Sequence, residues 1–264
     1  ITVAGAVLIA QYIGAGEKED ARSMANQIFI CAMGFAVVCA ALCFLGTPAI
    51  VNWLGADGGT AYYARVYLRV VIWDMPFLYM VNIFSAVHQA QGDTVRPMLL
   101  NLGGITLNLF LDPFFMIILD MGTAGAALAT LLAKAVPATV AFILLCRPEN
   151  DICLNRRYMQ LQREKLGMIL KVGLPTAIGG STMQLGFLLM SKNVFVYGTE
   201  AMAAYGIGNK VNGLITLPSN AIGSATATIV GQNMGAKQPE RAEQGYRFSM
   251  WISVVFLFLS LIHI

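Results

Sequence analysis

The chain has 264 residues, 57% of them hydrophobic and only 12% charged, with a mean hydropathy of +0.67. Ordinary soluble domains carry about twice that share of charge, so a soluble globular protein is excluded. The charges are clustered and leave apolar runs long enough to cross a membrane, so a nucleic-acid role for the net charge of +3 is disfavoured.

Run length and helix breakers predict a partial membrane span at residues 1–13, then spans near 23–46, 66–87, 98–119, 122–145, 168–197, 201–230 and 247–262. Helices are the expected element, because an open strand leaves its backbone groups unsatisfied in lipid. Loop chemistry separates the spans at Leu54-Gly55-Ala56-Asp57-Gly58-Gly59, Gln91-Gly92-Asp93-Thr94, Asp120-Met121-Gly122 and Tyr197-Gly198-Thr199. The chain opens at Ile1 inside an apolar run without a basic flank, and closes inside another, so both ends read as truncations of a longer sequence. The last residues, Leu259 to Ile264, read as extraneous, and His263 is given no role. Cys31, Cys39, Cys43, Cys146 and Cys153 show no metal or disulfide spacing; Cys39 and Cys43 share a helix face and read as packing residues.

Successive loops alternate sides of the membrane, and Lys and Arg gather on one set. Residues 18, 22, 96, 147, 156, 157, 163, 165, 171, 237, 241 and 247 fall there, against Arg65 at the margin of the other. By the positive-inside rule that set is cytoplasmic. A repeat runs through this topology. Ala4 to Ala21 matches Ala225 to Ala242 at Ala4/Ala225, Ala6/Ala227, Gln11/Gln232, Gly14/Gly235, Ala15/Ala236, Glu19/Glu240 and Ala21/Ala242. An even number of spans separates the copies, so the repeats are parallel, one of the recurrent transporter plans. The expected organisation is all-α: a polytopic transmembrane helix bundle of two parallel-repeat lobes. Residues 1–146 form the first lobe, 147–167 a cytoplasmic linker and 168–264 part of the second lobe. Gly14-Ala15 and Gly235-Ala236 are expected to end helices, and Glu19 and Glu240 to sit in the opening turns that follow, where an acid suits the helix dipole.

Asp112 is the most informative single residue, because a carboxylate within a span is costly, by about 3 kcal/mol on insertion scales, and usually faces a cavity. Asn108 lies one turn earlier on the same face, and Pro113 frees the carbonyl of Leu109. A carboxylate, an amide oxygen and a freed carbonyl suit a hard cation or a proton. The bland alternative is a polar brace of a proline-kinked helix. Asp74, before Met75-Pro76 and with Arg65 and Arg69 toward the outer end, reads as a structural ion pair or a transport residue. Lys134, Lys192 and Lys210 are basic groups within spans that pair with an acid, line a cavity or snorkel. Lys210, between Asn209 and Asn212, is the cavity candidate among them. Gln184 reads either as a substrate contact or as glue between helices. Fourteen Met and fourteen Phe suit an adaptable apolar cavity, although most are accounted for by core and lipid-facing positions. The small-residue run Gly122 to Ala127 reads as a close-packing surface.

Taken together, Gln11-x-x-Gly14-Ala15, Gln232-x-x-Gly235-Ala236, Gln91-Gly92-Asp93-Thr94, Asn108-x-x-x-Asp112-Pro113-x-Phe115 and Gly173-Leu174-Pro175 resemble the multidrug and toxic compound extrusion (MATE) antiporters. Their superfamily also holds the flippases of lipid-linked oligosaccharides. The resemblance implies twelve helices in the whole protein, of which this chain supplies the end of the second through part of the ninth. It implies alternating-access export of cationic or amphiphilic compounds in exchange for Na⁺ or H⁺ by a monomer in the cell membrane, with no other cofactor. It also implies a cation site at Asn108, Asp112 and Thr130, completed by an acid on helix 1, outside this chain. In some members a second coupling acid follows the Gly-x-Pro motif. Here that position is Met183, which favours the amino-terminal site. A lipid flippase is the alternative, kept open by Lys134, Lys192 and Lys210. An enzyme is disfavoured, because no H-E-x-x-H or G-x-S-x-G is present and His88 lies near a cytoplasmic end.

Overall fold

A computed structural model describes residues 2–53, 58–148 and 150–262, and these are helical almost throughout. Among the described residues nine α-helices follow in order: α1 Thr2–Gly14, α2 Lys18–Trp53, α3 Gly58–Val71, α4 Met75–Ala90, α5 Val95–Pro113, α6 Gly122–Cys146, α7 Arg163–Phe195, α8 Thr199–Gly235 and α9 Pro239–Ile262. A 3₁₀ turn, Ile72–Asp74, joins α3 to α4, so the two run as one broken apolar segment ahead of Pro76. Among the described residues four segments are long and apolar enough to cross a membrane, Lys18–Asn52, Ala61–Ala90, Val95–Ile118 and Gly122–Cys146. They coincide with the second to fifth expected spans. The expected loops at 91–94, 120–122 and 197–198 are observed, with Gly92, Gly122 and Gly198 at positive φ. Residues 54–57, Glu149 in the linker and His263 lie outside the described residues.

Contacts divide the chain into two compact units. One comprises Val3–Glu17 with Leu166–Ile264, the other Lys18–Lys165. These boundaries follow packing, and they differ from the lobes expected from the repeat, where α1 goes with the amino-terminal half.

In the first unit the repeat acquires a physical meaning. A Cβ placed on Gly14 would lie 1.9 Å from the carbonyl oxygen of Gln232, and one on Gly235 would lie 1.9 Å from that of Gln11. Each glycine of one copy is therefore seated on the glutamine backbone of the other, a reciprocal contact that only glycine permits. Gly231 extends the seam, its Cβ position meeting the Ala10 Cβ at 3.0 Å. The helix caps lie two residues further on. Gly16 at φ 77° and Lys237 at φ 56° are the left-handed residues. Glu17 and Gln238 donate back to the carbonyls of Tyr12 and Asn233, and Gly16 and Lys237 to those of Ile13 and Met234. Both ends are Schellman caps. The helices do end at Gly14 and Gly235, as expected, but the glycines serve the contact, and the cap is made by their neighbours.

In the second unit the linker is laced onto the first turns of α2. Asn26 and Gln27 are fully buried, and Ser23 nearly so. The Asn26 amide donates to the Cys153 carbonyl and accepts from the Asn155 N–H. Gln27 donates to the carbonyls of Tyr158 and Gln160 and accepts from the Gln162 N–H. Arg22 donates to the Asp151 carbonyl at 2.6 Å, and the Lys165 ammonium meets Asp20 at 2.8 Å. A segment without regular structure must place its backbone groups somewhere, and here the side chains of α2 receive them. The linker is thus an ordered strap, which its polar composition did not reveal.

Candidate cation site

The second unit also brings together the residues singled out on α5 and α6. α5 is apolar up to Pro113, after which the backbone passes into a π-turn at Phe114–Ile118. Turns of this kind recur at functional positions in membrane and soluble helices alike. Asp112 therefore sits where the regular helix stops. Asn108 donates to its carboxylate at 3.2 Å, which orients both side chains. α6 starts close by because Gly125 approaches the Phe115 carbonyl, where a Cβ would stand 2.7 Å from the oxygen. The small-residue run is thus used for packing, as its composition suggests.

Between α4, α5 and α6 lies a cavity of about 240 Å³, mostly apolar, whose wall includes Asn101, Asn108, Thr130 and Lys134. Gly104 and Pro137 pack at its back, the Gly104 Cβ position standing 3.0 Å from the proline ring. Asn108 and Thr130 thus share one cavity, and Asn108 links it by a hydrogen bond to Asp112. Thr130 donates to the Ala126 carbonyl at 2.9 Å, leaving its oxygen lone pairs to the cavity.

Asp74 is buried, and its ion-pair partner is Lys134 on α6 rather than the Arg65 or Arg69 nearby in sequence. The basic residues adjacent in sequence are engaged elsewhere: Arg65 donates to Asn52, and Arg69 lies over the Phe44 ring. The pairing was not legible because the partners are 60 residues apart and join through tertiary packing. His88 is buried against Phe84, with its Nδ1 3.0 Å from the Phe84 carbonyl, a packing role. Gln184 and Lys210 are exposed on α7 and α8, in the other unit. Lys192 is also exposed near the end of α7. No cluster of metal-ligand side chains is present among the described residues.

Comparison with known proteins gives one consistent result. The family model described as MatE matches residues 1–114 and 175–264. A probable multidrug resistance protein, NorM, of Thermotoga maritima is 32% identical over 96% of this chain and 57% of its own length. Another, YoeA of Bacillus subtilis, is 23% identical over 94% of this chain and 55% of its own. An outward-facing multidrug resistance MATE family transporter of the MOP superfamily superposes with a TM-score of 0.92 at 25% identity, over 99% of this chain and 58% of that one. The chain spans a little over half the length of the relatives it matches.

Proposed function

The chain belongs to the MatE family, and from that premise we propose that it is part of a secondary active antiporter. It exports cationic or amphiphilic compounds across the cell membrane in exchange for Na⁺ or H⁺, by alternating access, and it catalyses no covalent reaction. The relatives named for multidrug resistance and export support the substrate class. The observation that carries the coupling assignment is the Asn108–Asp112 pair, hydrogen-bonded at the π-turn and opening onto a cavity shared with Thr130. A carboxylate there, with an amide and a hydroxyl oxygen as neighbours, receives either a proton or a hard monovalent cation. The helix 1 acid that the resemblance implies belongs to the same proposal.

The alternative, a lipid flippase with a cationic cavity for a diphosphate, drew on Lys134, Lys192 and Lys210. Lys134 is ion-paired with Asp74, whereas Lys192 and Lys210 are exposed on α7 and α8.

The test is Asp112→Asn in the complete protein carrying this segment, reconstituted in proteoliposomes with a cationic dye as substrate. Cation-driven extrusion is expected to fall by about a hundredfold, since each 1.4 kcal/mol of lost coupling is a factor of ten. Unchanged extrusion would remove Asp112 from the mechanism.

A further inference from the structure

The neutral polar side chains of the α5–α6 cavity each place a donor hydrogen on a neighbour within their own helix. The Asn101 amide donates to the Pro97 carbonyl at 2.8 Å, Asn108 to Asp112, and the Thr130 hydroxyl to the Ala126 carbonyl. What remains to them is two amide oxygens, the hydroxyl lone pairs and the second hydrogen of each amide, so acceptors predominate. Lys134 lines the same cavity, one helical turn beyond Thr130 on the same face of α6. Its ammonium carries three donors and no acceptor, and Asp74 takes one of them. The cavity therefore contains a cation of its own, on a flexible four-carbon stem, sharing its wall with these acceptors. The other charges nearby are committed: Arg65 to Asn52, Arg69 to Phe44, and Arg96 to Asp93 at the start of α5. Lys134 is the charged group lining this cavity among the described residues, with Asp74 and Asp112 bonded to the lining residues Lys134 and Asn108.

We propose that Lys134 is a tethered cation that competes with the transported ion for the acceptor wall of Asn108 and Thr130, with Asp74 as its resting partner. Lys134 thereby sets the ion affinity of the site. When the wall is empty the ammonium reaches across to the acceptor oxygens. When an ion sits there, charge repulsion returns the ammonium to Asp74. The inference rests on the reading of Asn108, Asp112 and Thr130 as the coupling site, and its test separates the two.

In the same proteoliposomes, the Na⁺ concentration and the pH giving half-maximal dye extrusion are measured for Asp74→Asn/Lys134→Met, which removes both charges together. Without the competitor, the ion requirement is expected to fall about tenfold or more, the effect of removing a like charge roughly one helical turn away. The charge swap Asp74→Lys/Lys134→Asp keeps an ion pair while placing the carboxylate on α6 among the acceptors, and it is expected to shift the requirement the same way. An ion requirement within about twofold of the parent in these variants, with Asp112→Asn inactive, would reduce the pair to a brace while leaving the coupling site intact. If Asp112→Asn remains active, the coupling assignment itself has failed. A readout independent of variant folding is the rate at which a small permeable amine-acylating reagent modifies Lys134 in the unaltered protein, followed by peptide mass spectrometry. At fixed pH, saturating Na⁺ is expected to slow it, and a rate indifferent to Na⁺ in a protein whose extrusion is Na⁺-driven overturns the proposal.

Discussion

Lys237 holds φ 56° at the position where Gly16 holds 77° in the matching helix end. An L residue with a Cβ pays about 1 kcal/mol for that left-handed conformation, whereas glycine does not. Lys237→Gly should therefore stabilise the fold by up to about 1 kcal/mol, and Gly16→Ala should destabilise it by a similar amount. Thermal unfolding in detergent, followed by loss of the monodisperse peak, checks both signs. The comparison isolates the cap, because a Cβ on Gly16 would meet nothing within 4 Å. At this same scale, Asn108 and Asp112 were legible in the sequence because partners one helical turn apart meet whenever the helix forms. The buried amides of Asn26 and Gln27 were not, since a polar residue near a charged helix end is usually solvated. Only the returning strap shows why they are apolar in environment and polar in chemistry.

Among elements, the contact of α1 with α8 depends on two glycines that each face the other helix's backbone. Replacing either with valine inserts a branched side chain where even a Cβ is 1.9 Å from a carbonyl oxygen, so the helices must part. Gly14→Val and Gly235→Val are each expected to cost about 1 to 3 kcal/mol in the scale of overpacking mutations. The reciprocal geometry adds a sharper expectation: the two variants should be close to equal in cost, and the double variant should cost less than their sum, because one separation relieves both clashes. Additive losses would show that the two seats are independent. The repeat itself was plain in the sequence, and so were the helix ends. That its copies touch was not, because a duplication records ancestry and orientation without recording which surfaces meet.

Across the whole molecule, the parallel repeat and the positive-inside count make one joint prediction. Glu17→Cys and Lys237→Cys, both exposed in their helix-ending loops, should react with an impermeant thiol reagent from the cytoplasmic side. Labelling of the two from opposite sides would refute the parallel arrangement. The all-helical fold followed from composition, because a chain this apolar must satisfy its backbone within each segment. The partition into packed units did not follow, since α1 groups with α7, α8 and α9 once contacts decide. By itself the sequence determined the membrane class, the helix order, the repeat, the family resemblance and the Asn108–Asp112 pair, all of which depend on local periodicity or on residues within one helix. Only the tertiary structure decided that Asp74 answers to Lys134, that the linker is strapped to α2, and that the glycines of the repeat seat one helix on another. Those three depend on which distant surfaces exclude lipid and water together, a property of packing that no single segment carries.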